Sequence, residues 1–139
     1  MGRILAIDYG LKRTGLAVTD TLQLIANALT TVPTKELQAF LDDYLQKETV
    51  ERVVVGLPKQ MNGQPSQTMP YIEKFVAEFR RRHPQMPLEY YDERFTSVLA
   101  QKAIIAGGVK KKDRQNKALY DQVSATIILQ AWMESKRAF

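Results

Sequence analysis

Four acidic residues stand where a carboxylate needs a reason: Asp8, Asp92, Glu93 and Asp121. Asp8 closes the apolar run Ile4-Leu5-Ala6-Ile7 and is followed by Gly10, Lys12, Arg13 and Gly15. Asp92 and Glu93 end a second run, Leu88–Tyr91, and Asp121 interrupts an apolar helical pattern near the C-terminus. Carboxylates brought together repel one another and need a compensating cation. Oxygen ligands without His or Cys suit Mg²⁺ or Mn²⁺. Two such ions about 3.5–4 Å apart activate a water and stabilise the leaving oxygen of a phosphodiester. Each acid also has a plain structural reading. Asp8 can be a turn-former, Glu93 can pair with Arg94 or another surface cation, and Asp121 can be an early helix residue favourable to the dipole.

The elements that would position these acids follow from hydrophobic spacing. Arg3–Asp8 and Gly15–Asp20 read as a hairpin, with a third short strand near Ala28–Val32. Thr34 is expected to cap a helix with the apolar face Leu37, Phe40, Leu41, Tyr44 and Leu45. Val53–Leu57 is continuously apolar, as in a strand buried on both faces of a parallel sheet. Pro58–Ser66 is a polar loop. The next helix shows Ile72, Phe75, Val76 and Phe79 and ends in Arg80-Arg81-Arg82-His83-Pro84. The arginine triplet suits a helix C-terminus electrostatically, and His83 reads as a solvated C-terminal residue. After Leu88–Tyr91, a helix capped by Thr96 or Ser97 should run to Gly107-Gly108. The last helix, near Asn116–Glu134, carries Leu119, Val123, Ile127 and Ala131 on one line, with Ile128 and Trp132 nearby, and is apolar on most sides. The order β-β-β-α-β-α-β-α-α predicts an α/β fold: a mixed sheet with helices on both faces, within one domain over residues 1–139. If the first and last strands run parallel, Asp8 and Asp92-Glu93 share one sheet edge, where sites form in such sheets.

Composition excludes several classes. Cysteine is absent, which removes disulfides, thiol nucleophiles and Cys-based zinc sites. No apolar run reaches the roughly 18 residues of a membrane span, and no secretion signal is visible, so a cytoplasmic location is expected. Net charge is +5. Its distribution favours an anionic partner, because Arg94, Lys102, Lys110, Lys111, Lys112, Arg114 and Lys117 are opposed locally by Asp113 alone. Tyr90 and Tyr91 are core residues or stack on a base.

Four ordered motifs carry a family resemblance. Asp8-Tyr9-Gly10-Leu11-Lys12-Arg13-Thr14-Gly15-Leu16-Ala17 resembles the D-x-G-x-K-R-x-G-x-A signature of the YqgF (RuvX) family. Gly56-Leu57-Pro58 with Gly63 is similar to its second motif, and Asp92-Glu93-Arg94-Phe95-Thr96-Ser97 to its third. Lys117, Asp121, Ala125, Ile128, Leu129 and Gln130 resemble its C-terminal helix motif, with Ser124 at a position more often Ala. The resemblance implies a ribonuclease H-like fold related to Holliday-junction resolvases. It further implies a nuclease processing the 5′ end of pre-16S rRNA, hence a role in ribosome biogenesis, with Asp8, Glu93 and Asp121 as metal-binding catalytic acids and Mg²⁺ or Mn²⁺ as cofactor. Neighbouring strand residues point oppositely, so one of Asp92 and Glu93 faces the site, and the family's acidic position matches Glu93. Lys12, Arg13, Arg94, Lys110, Lys111, Lys112, Arg114 and Lys117 would then contact the phosphate backbone, giving affinity with little sequence reading. RNA cleavage, resolution of branched DNA, and a non-catalytic nucleic-acid or ribosomal-particle-binding module are the competing functions. The chain would act as a monomer or a homodimer.

Overall fold

A computed structural model describes residues 2–57, 67–92 and 117–137, with side chains in the last segment described from Val123 to Lys136. Five strands form one sheet: β1 (Arg3–Asp8), β2 (Arg13–Thr19), β3 (Ala26–Pro33), β4 (Val50–Leu57) and β5 (Leu88–Asp92), in the order β3-β2-β1-β4-β5. β2 is antiparallel to β1 and β3, while β1, β4 and β5 run parallel. The described helices are α1 (Leu37–Lys47), α2 (Met69–Arg82) and α3 (Lys117–Arg137). The helix expected between Thr96 and Gly108 lies outside the described residues.

β1 is central because its sequence is apolar on both faces, and Ile4 to Ile7 are essentially inaccessible to water. Alternation splits its side chains. Leu5 and Ile7 join Leu16, Val18, Val53 and Val55 under α1 and α2, whose buried stripes are Leu37 and Leu41, and Ile72, Phe75, Val76 and Phe79. Ile4 and Ala6 join Ala17 and Val54 under α3. The sheet therefore has two cores, as both-face burial of β1 and β4 requires. In α3 the stripe on the sheet is Ala125, Ile128, Leu129, Trp132 and Met133. That differs from the expected line, of which Val123, Ile127 and Ala131 are half-buried. Apolar residues stand on most sides of this helix, so periodicity alone left its orientation undetermined.

The end of α2 also departs from expectation. His83 is half-buried: its Nε2 lies 2.7 Å from Asp42 Oδ1 of α1, and its ring packs 4.9 Å from that of Phe79. Arg82 also bonds Asp42, so α1 and α2 are clamped together at their outer end. Arg81 and Arg82 donate to Glu78 at 2.9 and 3.1 Å, while Arg80 reaches the Leu88 carbonyl at 3.5 Å.

The Arg81 and Arg82 hydrogen bonds hold the Glu78 carboxyl down to about 2. A depressed carboxylate stabilises the fold above its unfolded range, and that stabilisation is lost as pH falls through the folded value. The melting-temperature difference between the parent and Glu78→Gln should be constant above about pH 5 and close toward pH 2. It should also shrink in high salt because the group is exposed. Thermal denaturation across this pH range checks both trends.

Candidate active site at the C-terminal edge of the sheet

Alternation assigns Asp8 to the α3 face, together with Ile4 and Ala6. It is half-buried at the tip of β1, opposite Gly15 in the hairpin register. The second strand, expected from Gly15, begins two residues earlier at Arg13, so the turn is Tyr9–Lys12. Ile7 pairs with Val55, so Asp8 comes level with Gly56, which pairs with Tyr91. Gly56 follows Val55, on the α1/α2 face, and so belongs to the α3 face with Val54. Beside Asp8, on the same face, β4 thus presents no side chain. The gap spans the roughly 10 Å between β1 and β5, two strand spacings.

β5 can be oriented in the same way. Leu88 packs on the α1/α2 core. Glu89 accepts from Trp132 Nε1, and Tyr91 packs on the α3 core. Asp92 therefore belongs with Leu88 and Tyr90 to the face opposite Asp8. Glu93, Arg94, Lys110, Lys111, Lys112 and Arg114 lie outside the described residues. Of the two strand tyrosines, Tyr91 is core and Tyr90 partly exposed.

Trp132 meets the start of β5, and Met133 and Glu134 line a cavity with Leu24, Ile25 and Ala26 at the same end. α3 thus runs antiparallel to β1, with its N-terminal half toward the Asp8 edge. Position 121 precedes Ala125, Ile128 and Trp132 by 4, 7 and 11 residues and falls on their stripe. Eleven residues of helix cover about 16 Å, enough to carry position 121 from the Glu89 level to the strand tips. Lys117 opens the helix. Among the described residues no three His, Cys, Asp or Glu side chains gather around one point. Of the three predicted catalytic acids, only Asp8 has its side chain in that set. The predicted donor set is all carboxylate, which fits a hard divalent cation and not zinc or copper.

The loop after Asp8 is held by residues that composition did not single out. The Thr34 hydroxyl donates to the Gly10 carbonyl at 2.6 Å, and the Thr34 amide donates to the Lys12 carbonyl at 2.9 Å. With that hydrogen used, the buried Thr14 hydroxyl donates to Thr34 Oγ1 at 2.9 Å. Contrary to the expectation from sequence, Thr34 does not cap α1; it opens a short 3₁₀ turn (Thr34–Glu36) without a side-chain cap. A Cβ on Gly10 would lie 2.3 Å from the Arg13 carbonyl oxygen, so only glycine fits there. Lys12 is exposed and Arg13 half-buried, both one turn from Asp8.

A mixed sheet with parallel β1-β4-β5, an antiparallel hairpin and helices on both faces is the ribonuclease H-like arrangement. *Thermus thermophilus* RuvC in complex with a Holliday junction substrate superposes with a TM-score of 0.60 at 16% identity, covering 97% of this chain and 98% of that one. *T. thermophilus* RuvC alone gives 0.52 at 17%, covering 95% and 96%. The chain belongs to the RuvX family, whose model, described as "Holliday junction resolvase", matches residues 2–135. A *Bacteroides thetaiotaomicron* relative named "Putative pre-16S rRNA nuclease" is 64% identical over 137 residues, covering 99% of each chain. A *Porphyromonas gingivalis* relative of the same name is 54% identical over 135 residues, covering 97% of this chain and 98% of its own.

Thr34→Val keeps the shape but leaves the Gly10 carbonyl and the Thr14 hydroxyl without their partner. It should cost about 1–3 kcal/mol in urea denaturation and speed amide exchange in the 9–13 loop. An unchanged exchange pattern would show that the hydroxyl does not hold this loop.

Proposed function

We propose that the chain is a metal-dependent nuclease that hydrolyses phosphodiester bonds in structured RNA, in 5′-end processing of pre-16S rRNA. Residues 1–139 would act as one nuclease domain in the cytoplasm. The observation that carries this reading is Asp8, held half-buried at the tip of the central strand on the α3 face beside the bare Gly56. The catalytic, metal-binding set is Asp8, Glu93 and Asp121. Two features support it: Asp92 belongs to the opposite face of β5, which favours its neighbour Glu93 for the acidic role, and position 121 shares the sheet-facing stripe of α3. Family membership and the names of its relatives support the substrate.

When bound, Mg²⁺ or Mn²⁺, as one ion or a pair, lowers the pKa of a water and stabilises the leaving oxygen. The three acids orient that centre. Lys12 and Arg13 hold the phosphate of the strand being cut, and Arg94, Lys110–Lys112, Arg114 and Lys117 hold the flanking backbone. Ribosomal particles carrying the precursor are natural partners of such an enzyme. The second reading, resolution of branched DNA, is favoured by the RuvC-like fold and the family's description.

Asp8→Asn should abolish cleavage of pre-16S RNA with Mg²⁺ or Mn²⁺ while leaving circular dichroism and melting unchanged. Full activity in that variant would overturn the assignment. Precursor RNA and four-way DNA junctions compared at one salt concentration separate the two substrates. Lys12→Ala should reduce the log–log salt slope of duplex DNA binding by about 0.9 if it holds one phosphate. A slope equal to the parent's would remove Lys12 from the interface.

A further inference from the structure

The face of the sheet edge opposite Asp8 carries an aromatic pair that the acids do not use. On α2, residues 71, 75, 79 and 83 follow the i, i+4 spacing of one helix stripe. Phe75, Phe79 and His83 form a continuous column, with ring centroids 6.2 and 4.9 Å apart. Tyr9, next after Asp8, lies across this column's upper end, 5.5 Å from Phe75. Tyr71 is the remaining member and, unlike the others, is 54% exposed. Tyr71 stands one helical turn before Phe75, the ring on which Tyr9 packs, so both tyrosines belong to this end of the column. The loop that follows Tyr9 presents Leu11, 57% exposed, and the exposed Lys12.

An exposed tyrosine gains little for the fold from its position. Here it extends a stack outward at the edge where Asp8 sits. α2 is antiparallel to the strands, so its first turn belongs to the strand tips. Tyr9 and Asp8 are consecutive and lie on opposite faces. A nucleic-acid strand crossing the edge would place a phosphate at Asp8 and the adjoining base over the tyrosines. Every base offers a π-face, so stacking on an aromatic ring is tolerant of sequence but requires an unpaired base.

We propose that Tyr71 and Tyr9 form a shelf on which an unpaired nucleobase next to the scissile phosphate stacks, so that the site prefers a single-stranded flank to a continuous duplex. This inference rests on the nuclease reading for the position of the phosphate. Its test is a binding measurement in the Asp8→Asn background, where no cleavage is needed. The probe is an RNA hairpin with a single-stranded 5′ tail carrying a fluorescent adenine analogue, compared with the same RNA annealed to a strand complementary to the tail. The parent should quench the analogue in the tail. Tyr71→Phe should retain quenching and affinity. Tyr71→Ala and Tyr71→Leu should lose the quenching and weaken binding of the tailed RNA by about 5- to 100-fold, with binding of the fully paired RNA unchanged. Leucine preserves bulk and helix propensity, which separates loss of the ring face from loss of folding. The shelf is overturned by an unquenched parent, by quenching that survives Tyr71→Leu, by equal losses on both RNAs, by Tyr71→Phe behaving as Tyr71→Leu does, or by binding of neither RNA. Failure of the parent chain to cut any substrate would overturn the nuclease reading and leave the quenching result to decide the shelf.

Discussion

The two-faced burial of β1 is the constraint on which the rest depends. Ile4, Leu5, Ala6 and Ile7 are excluded from water by helices on either side of the sheet and by β2 and β4 at its flanks. Such a strand has little freedom to slip, because a shift of one residue exchanges every side chain between the two cores. The same shift would carry Asp8 to the α1/α2 face, away from Gly56 and the α3 stripe. Apolar packing thus fixes the position and direction of a carboxylate that gains nothing from it. A strand end is a firmer mount for such a group than a loop.

The neighbouring parts distribute the work between the two faces. On the α3 side, Gly56 withholds a side chain where one would fill the space between β1 and β5. On the α2 side, an aromatic column backs Tyr9 and leaves Tyr71 exposed. The loop between them is short and held through its carbonyls by Thr34, which keeps Lys12 and Arg13 near Asp8. Glu78 and Asp42 pair with Arg81, Arg82 and His83 at the far end of α2, where they brace the two helices.

Much of this was legible in the amino-acid order. β1 and β4 announce themselves as short apolar runs, and the α2 stripe is the same four residues in sequence and structure. The parallel placement of β1 and β5, which makes one edge of Asp8 and the end of Leu88–Asp92, follows from alternating helices and strands. What was not legible depended on contacts between distant segments. His83 binds Asp42, 41 positions away, and Thr34 bonds Gly10, 24 away; neither pairing leaves a local pattern. The α3 stripe was centred on the wrong line because a helix with apolar residues on most sides has no preferred face until a sheet supplies one. Alternation alone did not say which face Asp92 takes; that needed the observation that Tyr91 and Glu89 face α3.

The most direct measurement of the central claim is anomalous scattering from crystals of the chain soaked with Mn²⁺ and a nucleic-acid strand. Manganese density shared by the carboxylates of Asp8, Glu93 and Asp121, over Gly56, is the predicted result. Manganese held elsewhere, or these carboxylates more than about 8 Å apart in the loaded state, beyond the reach of ions about 4 Å apart with bonds of about 2 Å, would contradict it.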